Sequence, residues 1–296
     1  MADQYDGPGV INSDDVGTMT VSKTTLLDSR TTMAYASSIN DANPRYFDDL
    51  SEQGLMVHPA IAFSLQWASR FRPDQKIDPR VAAFGVHAST DLRIYRPFRA
   101  GEAVTTQGKL IQKRQISPGV YNIEKYSMVS SSGELIAELY YNGITRGGKL
   151  EGADAIVENE PELPQIEAFE SEPIWRREIL VGLHAGQQYT ECAQIYNPIH
   201  TEPSVAKAAG LPDIILHGSA TKAMALMTVV DECLGGDAER VTRLTGQLRG
   251  MVLMDSSIAI ECLAHETVGD EVRLAFRVLN DKGEPAISNG VVCARV

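Results

Sequence analysis

Residues 189–218 concentrate the side chains that could move a proton or hold a developing negative charge. The run Tyr189-Thr-Glu-Cys-Ala-Gln-Ile195-Tyr196-Asn197-Pro198-Ile-His200-Thr-Glu202-Pro203 is followed by Gly210-Leu-Pro-Asp-Ile-Ile-Leu-His217-Gly218. Histidine is the side chain whose ordinary titration lies nearest neutral pH, so His200 is the group best suited to exchange protons, with His217 packing at the mouth of the helix that follows. A glycine ahead of a helical run, such as Gly218, lets another molecule approach the backbone closely, and a helix N-terminus favours negative charge. Asn197-Pro198 shapes a loop, and Glu202-Pro203 has the form of a helix N-cap with proline at the first helical position. The sequence carries no glycine-rich phosphate loop, metal-ligand cluster or serine-centred nucleophile motif to compete with these groups.

A weaker copy of the run lies earlier. Tyr35 through Tyr46 aligns with Tyr189 through His200 at a constant offset of 154 residues, with Asn43-Pro44 on Asn197-Pro198. Asp41 stands where Ile195 stands, and Tyr46 where His200 stands. Further on, Val57-His58-Pro59 answers Leu216-His217-Gly218. An internal repeat this long means one structural unit used twice. The length of 296 residues agrees, at about 150 residues per unit.

In Asn197, Pro198, His200, Glu202, Pro203, His217 and Gly218 the second run resembles the signature of the MaoC-like dehydratases, the (R)-specific enoyl-CoA hydratases of hotdog fold. Ile195 departs from that signature at the position of the family's catalytic Asp. The resemblance implies a double hotdog: two long helices, each wrapped by an antiparallel sheet, side by side in one continuous sheet. It implies a hydratase or dehydratase acting at the 2-enoyl/3-hydroxyacyl position of a CoA or acyl-carrier thioester, in fatty acid metabolism. CoA is then part of the substrate, and neither a separate cofactor nor a metal is implied. On this pattern His200 is the acid/base, Gly218 the backbone donor to the thioester oxygen, and Asn197 the shaper of the catalytic loop. Tyr196, Glu202 and His217 support them. Asp41, Asn43 and Tyr46 define a candidate second cleft that keeps the carboxylate. Ile195 either faces the water held by His200 or packs in the core. A thioesterase and a non-catalytic acyl-thioester-binding protein remain as alternatives.

The elements that must position these residues follow the repeat. Apolar spacing predicts a long buried helix over 59–71 and another over 220–233. Strands are expected over 81–97, 103–146, 176–181 and 242–296, with turns where Gly, Pro and Ser cluster. The first motif is expected on a helical turn and loop within 31–50, and a short helix from Pro203. The order, helix then antiparallel meander, twice, predicts an α+β chain. The expected units are an N-terminal repeat over 1–146, a linker over 147–172 with eight acidic residues, and a C-terminal repeat over 173–296. His58, His87, His184 and His265 read as isolated structural histidines. A net charge of −12 argues against nucleic-acid binding. No apolar run reaches the ~18 residues of a membrane span, and the polar, acidic start is unlike a secretory signal. With Cys192, Cys233, Cys262 and Cys293 in no metal spacing, the expectation is a cytoplasmic protein with reduced, mostly core thiols. A homodimer remains open.

Overall fold

The computed structural model of the chain describes residues 7–72, 78–166 and 172–296. Its first half holds the short strands β1 (Val10–Ile11) and β2 (Lys23–Leu26), then helices α1 (Ser29–Ser38), α2 (Ala62–Ser69) and α3 (Pro79–Phe84). The meander β3 (Gly85–Ile94), β4 (Ala103–Ile116), β5 (Gly119–Ser130) and β6 (Leu135–Arg146) follows. Two short strands, β7 (Lys149–Leu150) and β8 (Ala155–Ile156), lead to β9 (Trp175–Val181). The second half continues with α4 (Ala185–Ala193), α5 (Pro203–Ala208) and α6 (Gly218–Leu234). It ends on β10 (Val241–Leu248), β11 (Ser256–Val268), β12 (Glu271–Leu279) and β13 (Pro285–Arg295).

The strands form one 11-stranded sheet in the order β2-β4-β5-β6-β3-β10-β13-β12-β11-β9, with β8 on the edge of β4. All pairings within it are antiparallel. The halves join where β3 pairs with β10, Asp91 opposite Thr245. These two residues are themselves 154 apart, the offset of the repeat. Tyr35 and Tyr189, also 154 apart, meet hydroxyl to hydroxyl at 3.3 Å between α1 and α4. Equivalent residues touching each other is the mark of a twofold relation between copies. Beside the junction Arg243 donates from Nε and Nη2 to the two carboxylate oxygens of Asp91, at 2.7 and 2.6 Å. Such a forked pair adds directional specificity as well as energy. One apolar core runs through both halves beneath the sheet.

The α6 helix is apolar nearly all round, as a helix enclosed by a sheet must be. Gly235, in the left-handed region at φ 64°, ends it. Its partner in the first half is shorter than the expected 59–71 helix. A 3₁₀ turn at Pro59–Ile61 runs into α2, which stops at Ser69. The Ser69 hydroxyl bonds the carbonyls of Leu65 and Gln66. Pro73 in the sequence has no N–H to offer the Ser69 carbonyl, so the helix cannot run on regularly. The strand expected from 81 begins only at Gly85, because Pro79 starts a helical turn that continues through Phe84. The first motif, Tyr35 through Tyr46, begins in the last turn of a full ten-residue helix, α1, and runs on through the loop that follows.

The acidic segment after β6 lies against the sheet. Glu158 pairs with Lys125, Glu160 with Arg114, and Ile166 is buried against Leu263, Ala275 and Val291. Residues 167–171 of the expected linker lie outside the described residues. The four thiols are free, with Cys262 and Cys293 buried and Cys192 and Cys233 half-buried, so only two of the four are core. Among the described residues no helix is long and apolar enough to cross a membrane.

One buried charge has no carboxylate beside it. Lys222 of α6 is fully buried and its Nζ donates to the Thr90 hydroxyl on β3. Burial lowers its pKa to about 7. Between that value and the ordinary lysine range near ~10.4 the unfolded chain holds the extra proton, so stability rises with pH across this window. Lys222→Met should therefore raise stability at pH 6 by roughly 1–3 kcal/mol and flatten the rise between pH ~7 and ~10. Denaturant unfolding across that range checks both; an unchanged pH slope would show that Lys222 is solvated.

Candidate active site

The loop that carries His200 is held from three sides. Gln194, in the left-handed region at φ 55°, ends α4 and turns the chain. Asn197 caps the following 3₁₀ turn, Pro198–His200, its Oδ1 accepting from the Ile199 N–H at 3.4 Å. Gly186 on α4 leaves room for the turn, because a Cβ there would collide with the His200 carbonyl oxygen. Across the loop the His200 ring lies 2.7 Å, from Nδ1, to the carbonyl of Ile215. A carbonyl can only accept, so Nδ1 carries the proton and Nε2 keeps a free lone pair. Burial pushes the His200 pKa down to about 4, against the raising effect of the Ile215 carbonyl. The ring is neutral at physiological pH.

His217 stacks on His200 with centroids 3.7 Å apart and 29° between the planes. It occupies the N-cap position of α6 but makes no capping bond with its side chain. Its Nε2 donates to the Ile195 carbonyl at 3.0 Å, with the Thr190 hydroxyl at 3.3 Å. Its Nδ1 is buried without a partner. Burial, and then the neighbouring His200, push the His217 pKa further down than that of His200. Gly218 opens α6, where first-turn N–H groups have no intrahelical carbonyl to bond. A Cβ at Gly218 would strike the Leu248 side chain, which would have to shift to admit any larger residue.

These groups line a cavity of about 430 Å³ between the halves. The second half contributes Ile195, Asn197, Ile199, His200, His217, Gly218, Ser219 and Leu248. The first half contributes Phe63, Gln66 and Trp67 from α2, Gly85, Val86 and His87 from β3, and Asn122, Tyr141, Gly143 and Ile144 from β5 and β6. None of these lining residues is Asp, Glu, Lys or Arg. The arrangement offers the free Nε2 lone pair of His200, a helix N-terminus and an uncharged wall.

The residues singled out in the sequence divide clearly. His200, Asn197, Gly218 and His217 share this cavity. Ile195 borders the cavity and is only 4% exposed, packed in the core. Tyr196 is 54% exposed, and its hydroxyl donates to the Glu202 carboxylate at 2.6 Å. That bond takes both side chains away from the cavity wall. It also corrects the capping role read for Glu202, which holds the N-cap position of α5 without a side-chain cap bond.

The second cleft does not form as expected. Asp41 and Tyr46 are buried, at 5% and 1% exposure. Asp41 accepts from the Asn43 N–H at 2.9 Å and lies 4.0 Å from His58 Nε2, while Tyr46 packs on the His58 ring. His58 caps its own turn by accepting from the Ala60 N–H at 3.2 Å. Burial raises the Asp41 pKa to about 6, the Asn43 N–H opposing and Asp231 adding to the rise. Asn43 alone of the three reaches a surface hollow, where its Nδ2 donates to the Gly236 carbonyl at 2.7 Å. Arg45 beside it pairs with Asp237 and Glu239. The first copy is thus a docking corner that grips the end of α6. Asp41 does not line the His200 cavity. His87, read from the sequence as an isolated structural histidine, does, together with Asn122, Tyr141 and Gly143. No local signal marks these four, since only the register of β3, β5 and β6 brings them together.

The halves and their shared sheet define a double hotdog. Residues 187–277 match the family model described as "MaoC like domain". A MaoC-like dehydratase from Phytophthora capsici superposes with a TM-score of 0.81 at 18% identity, over 97% of this chain and 99% of that one. A conserved Mycobacterium tuberculosis protein with a double hotdog fold gives 0.65 at 12% identity, over 95% and 96%. In sequence, 64 residues are 34% identical to the enoyl-CoA hydratase ChsH3 of Mycobacterium tuberculosis, 22% of each chain. The matched stretches span between 4% and 22% of the length of such curated relatives.

The packing at Gly186 gives a test of how the loop is held. Alanine within a helix ordinarily gains roughly 0.5–1 kcal/mol over glycine. At Gly186 the collision with the His200 carbonyl should reverse the sign, so that Gly186→Ala costs about 1–3 kcal/mol in denaturant unfolding. A neutral or stabilised variant would mean that the His200 turn does not pack on α4 in this way.

Proposed function

We propose that the chain is a hydratase/dehydratase that adds water to, or removes it from, the 2-enoyl/3-hydroxyacyl position of a CoA or acyl-carrier thioester. One observation carries the reading: His200, whose Nδ1 is taken by the Ile215 carbonyl and whose Nε2 is left free, lines the same uncharged cavity as Gly218 at the N-terminus of α6. The MaoC-like domain and the similarity to an enoyl-CoA hydratase support it.

In the hydration direction His200 Nε2 takes a proton from water as the water oxygen bonds to C3 of the enoyl group. The C2–C3 double-bond electrons move toward the thioester, whose oxygen gains negative charge. The Gly218 N–H and the positive end of α6 stabilise that charge. The imidazolium then returns its proton to C2, which restores the neutral ring and leaves the 3-hydroxyacyl thioester. Dehydration is the reverse. A buried imidazolium is a strong acid, as the low His200 pKa requires, so the return step is favoured. With Ile195 in place of a carboxylate, His200 works as a single acid/base.

The uncharged wall also favours a second reading, in which the protein binds an acyl thioester without turning it over. Loss of enoyl-CoA absorbance identifies hydration, release of free CoA thiol identifies a thioesterase, and binding with neither signal identifies the binder. His200→Ala should lower hydration by about 10²–10⁴-fold with the fold retained by circular dichroism. For the wild type, kcat/KM should stay level from neutral pH down and fall only as pH approaches about 4, because protonation of His200 removes the base. Full activity in His200→Ala would remove His200 from the mechanism, whereas an acid limb near the ordinary histidine value would show that burial does not depress its pKa in the working enzyme.

A further inference from the structure

The wall supplied by the first half contains a polar row that hydration does not use. His87 of β3, Gly143 of β6 and Asn122 of β5 stand opposite one another across three paired strands. A bulge between His87 and Ser89 breaks the regular alternation of β3 at this point. Bulges recur where a strand must re-aim a side chain. Gly143 leaves the centre of the row open, and the Asn122 amide lies over it: a Cβ at Gly143 would stand 2.9 Å from Asn122 Oδ1. Tyr141 stacks on His87 with centroids 4.2 Å apart and 23° between the planes.

The hydrogen-bonding capacity of this row is unspent. His87 Nε2 lies 3.2 Å from the Ser89 carbonyl, so it carries the proton and Nδ1 keeps its lone pair. Among the described residues no protein partner meets His87 Nδ1, the Asn122 amide or the Tyr141 hydroxyl. All three residues line the cavity. An alkyl chain laid against them would displace water and leave polar groups unmatched, at about 1–3 kcal/mol for each one buried. The amide and the hydroxyl can each donate and accept, which suits an oxygen that is itself a hydroxyl or a carbonyl. A carboxylate or phosphate is a poor match, because no Lys or Arg lines the cavity and burial holds His87 neutral.

We propose that His87, Asn122 and Tyr141, ranged around Gly143, bind a neutral oxygen on the acyl chain beyond C3, so that the cavity selects acyl thioesters hydroxylated or keto-substituted toward their far end over plain alkyl ones. The proposal rests on the reading of the cavity as an acyl-thioester site and names the substrate class that site takes.

The test uses binding, so that it does not depend on turnover. Hexanoyl-, octanoyl- and decanoyl-CoA are compared by calorimetry with their terminally hydroxylated and terminal-keto counterparts, on wild type, Asn122→Leu and Tyr141→Phe. In wild type at least one oxygenated thioester should bind about tenfold tighter than its plain partner, the worth of one net hydrogen bond. The preference should shrink toward equality in both variants, with affinity for the plain thioester held or improved. Tyr141→Phe keeps the ring that stacks on His87, so it remains informative if Asn122→Leu fails to fold. Three results overturn the proposal. Equal or tighter binding of every plain thioester by wild type would show that the row reads no acyl oxygen. Equal weakening of plain and oxygenated thioesters in the variants would assign the row to the amide groups of the CoA arm, which both share. Failure of every thioester to bind would remove the acyl-thioester reading and this proposal with it.

Discussion

The antiparallel pairing of β3 with β10 is the contact on which the rest of the molecule depends. It turns two sheets into one and closes the cavity between a wall from each half. Without it each half would present an open strand edge, with a row of unpaired N–H and C=O groups. A slip of one residue would exchange the two faces of every side chain along the junction. Asp91 would then turn away from Arg243, and His87 would leave the cavity. The forked Arg243–Asp91 pair and the meeting of Tyr35 with Tyr189 oppose that slip from opposite sides of the sheet.

The two copies of the motif show how one arrangement was put to two uses. In each, a histidine precedes the helix and a ring from the motif loop lies against it: Tyr46 on His58, His200 on His217. In the first copy His58 spends Nδ1 on a backbone N–H and turns Nε2 toward the buried Asp41 carboxylate. In the second, Ile195 supplies no side-chain acceptor, and His217 turns Nε2 to the Ile195 main-chain carbonyl instead. The raised pKa of Asp41 shows what a carboxylate costs in such a place. Isoleucine removes that cost from the His200 cavity, and with it the group that would have favoured a charged histidine.

What remains is a site governed by burial and fixed dipoles. Both histidines are held neutral by desolvation, and the positive end of α6 is the fixed electrostatic feature that faces the cavity. Where a bound substrate excludes water from the site, such a dipole acts on a developing negative charge more strongly than it would in solvent. The same poverty of charge makes the polar row on the opposite wall conspicuous, because an unmatched amide or hydroxyl is costly there.

By itself the sequence determined the α+β order, the duplication and the loop that carries His200. It also placed α6 over 220–233, within two residues of the observed Gly218–Leu234, because caps, turn residues and apolar spacing act within a few residues of one another. The 154-residue offset aligned the copies, but only the fold shows that the equivalent Tyr35 and Tyr189 hydroxyls meet. Where local chemistry was incomplete the reading strayed. The helix expected over 59–71 stops at Ser69, Pro79 begins a helical turn inside an expected strand, and Glu202 turns to Tyr196 instead of capping α5. Only the tertiary structure decided that Asp41 and Tyr46 would be buried in a docking corner, and that His87, Asn122 and Tyr141 would face His200. The strands bearing those three residues come together through pairing register and one bulge. Register is set by long-range burial and hydrogen bonding along whole strands, so no short stretch of the chain contains it.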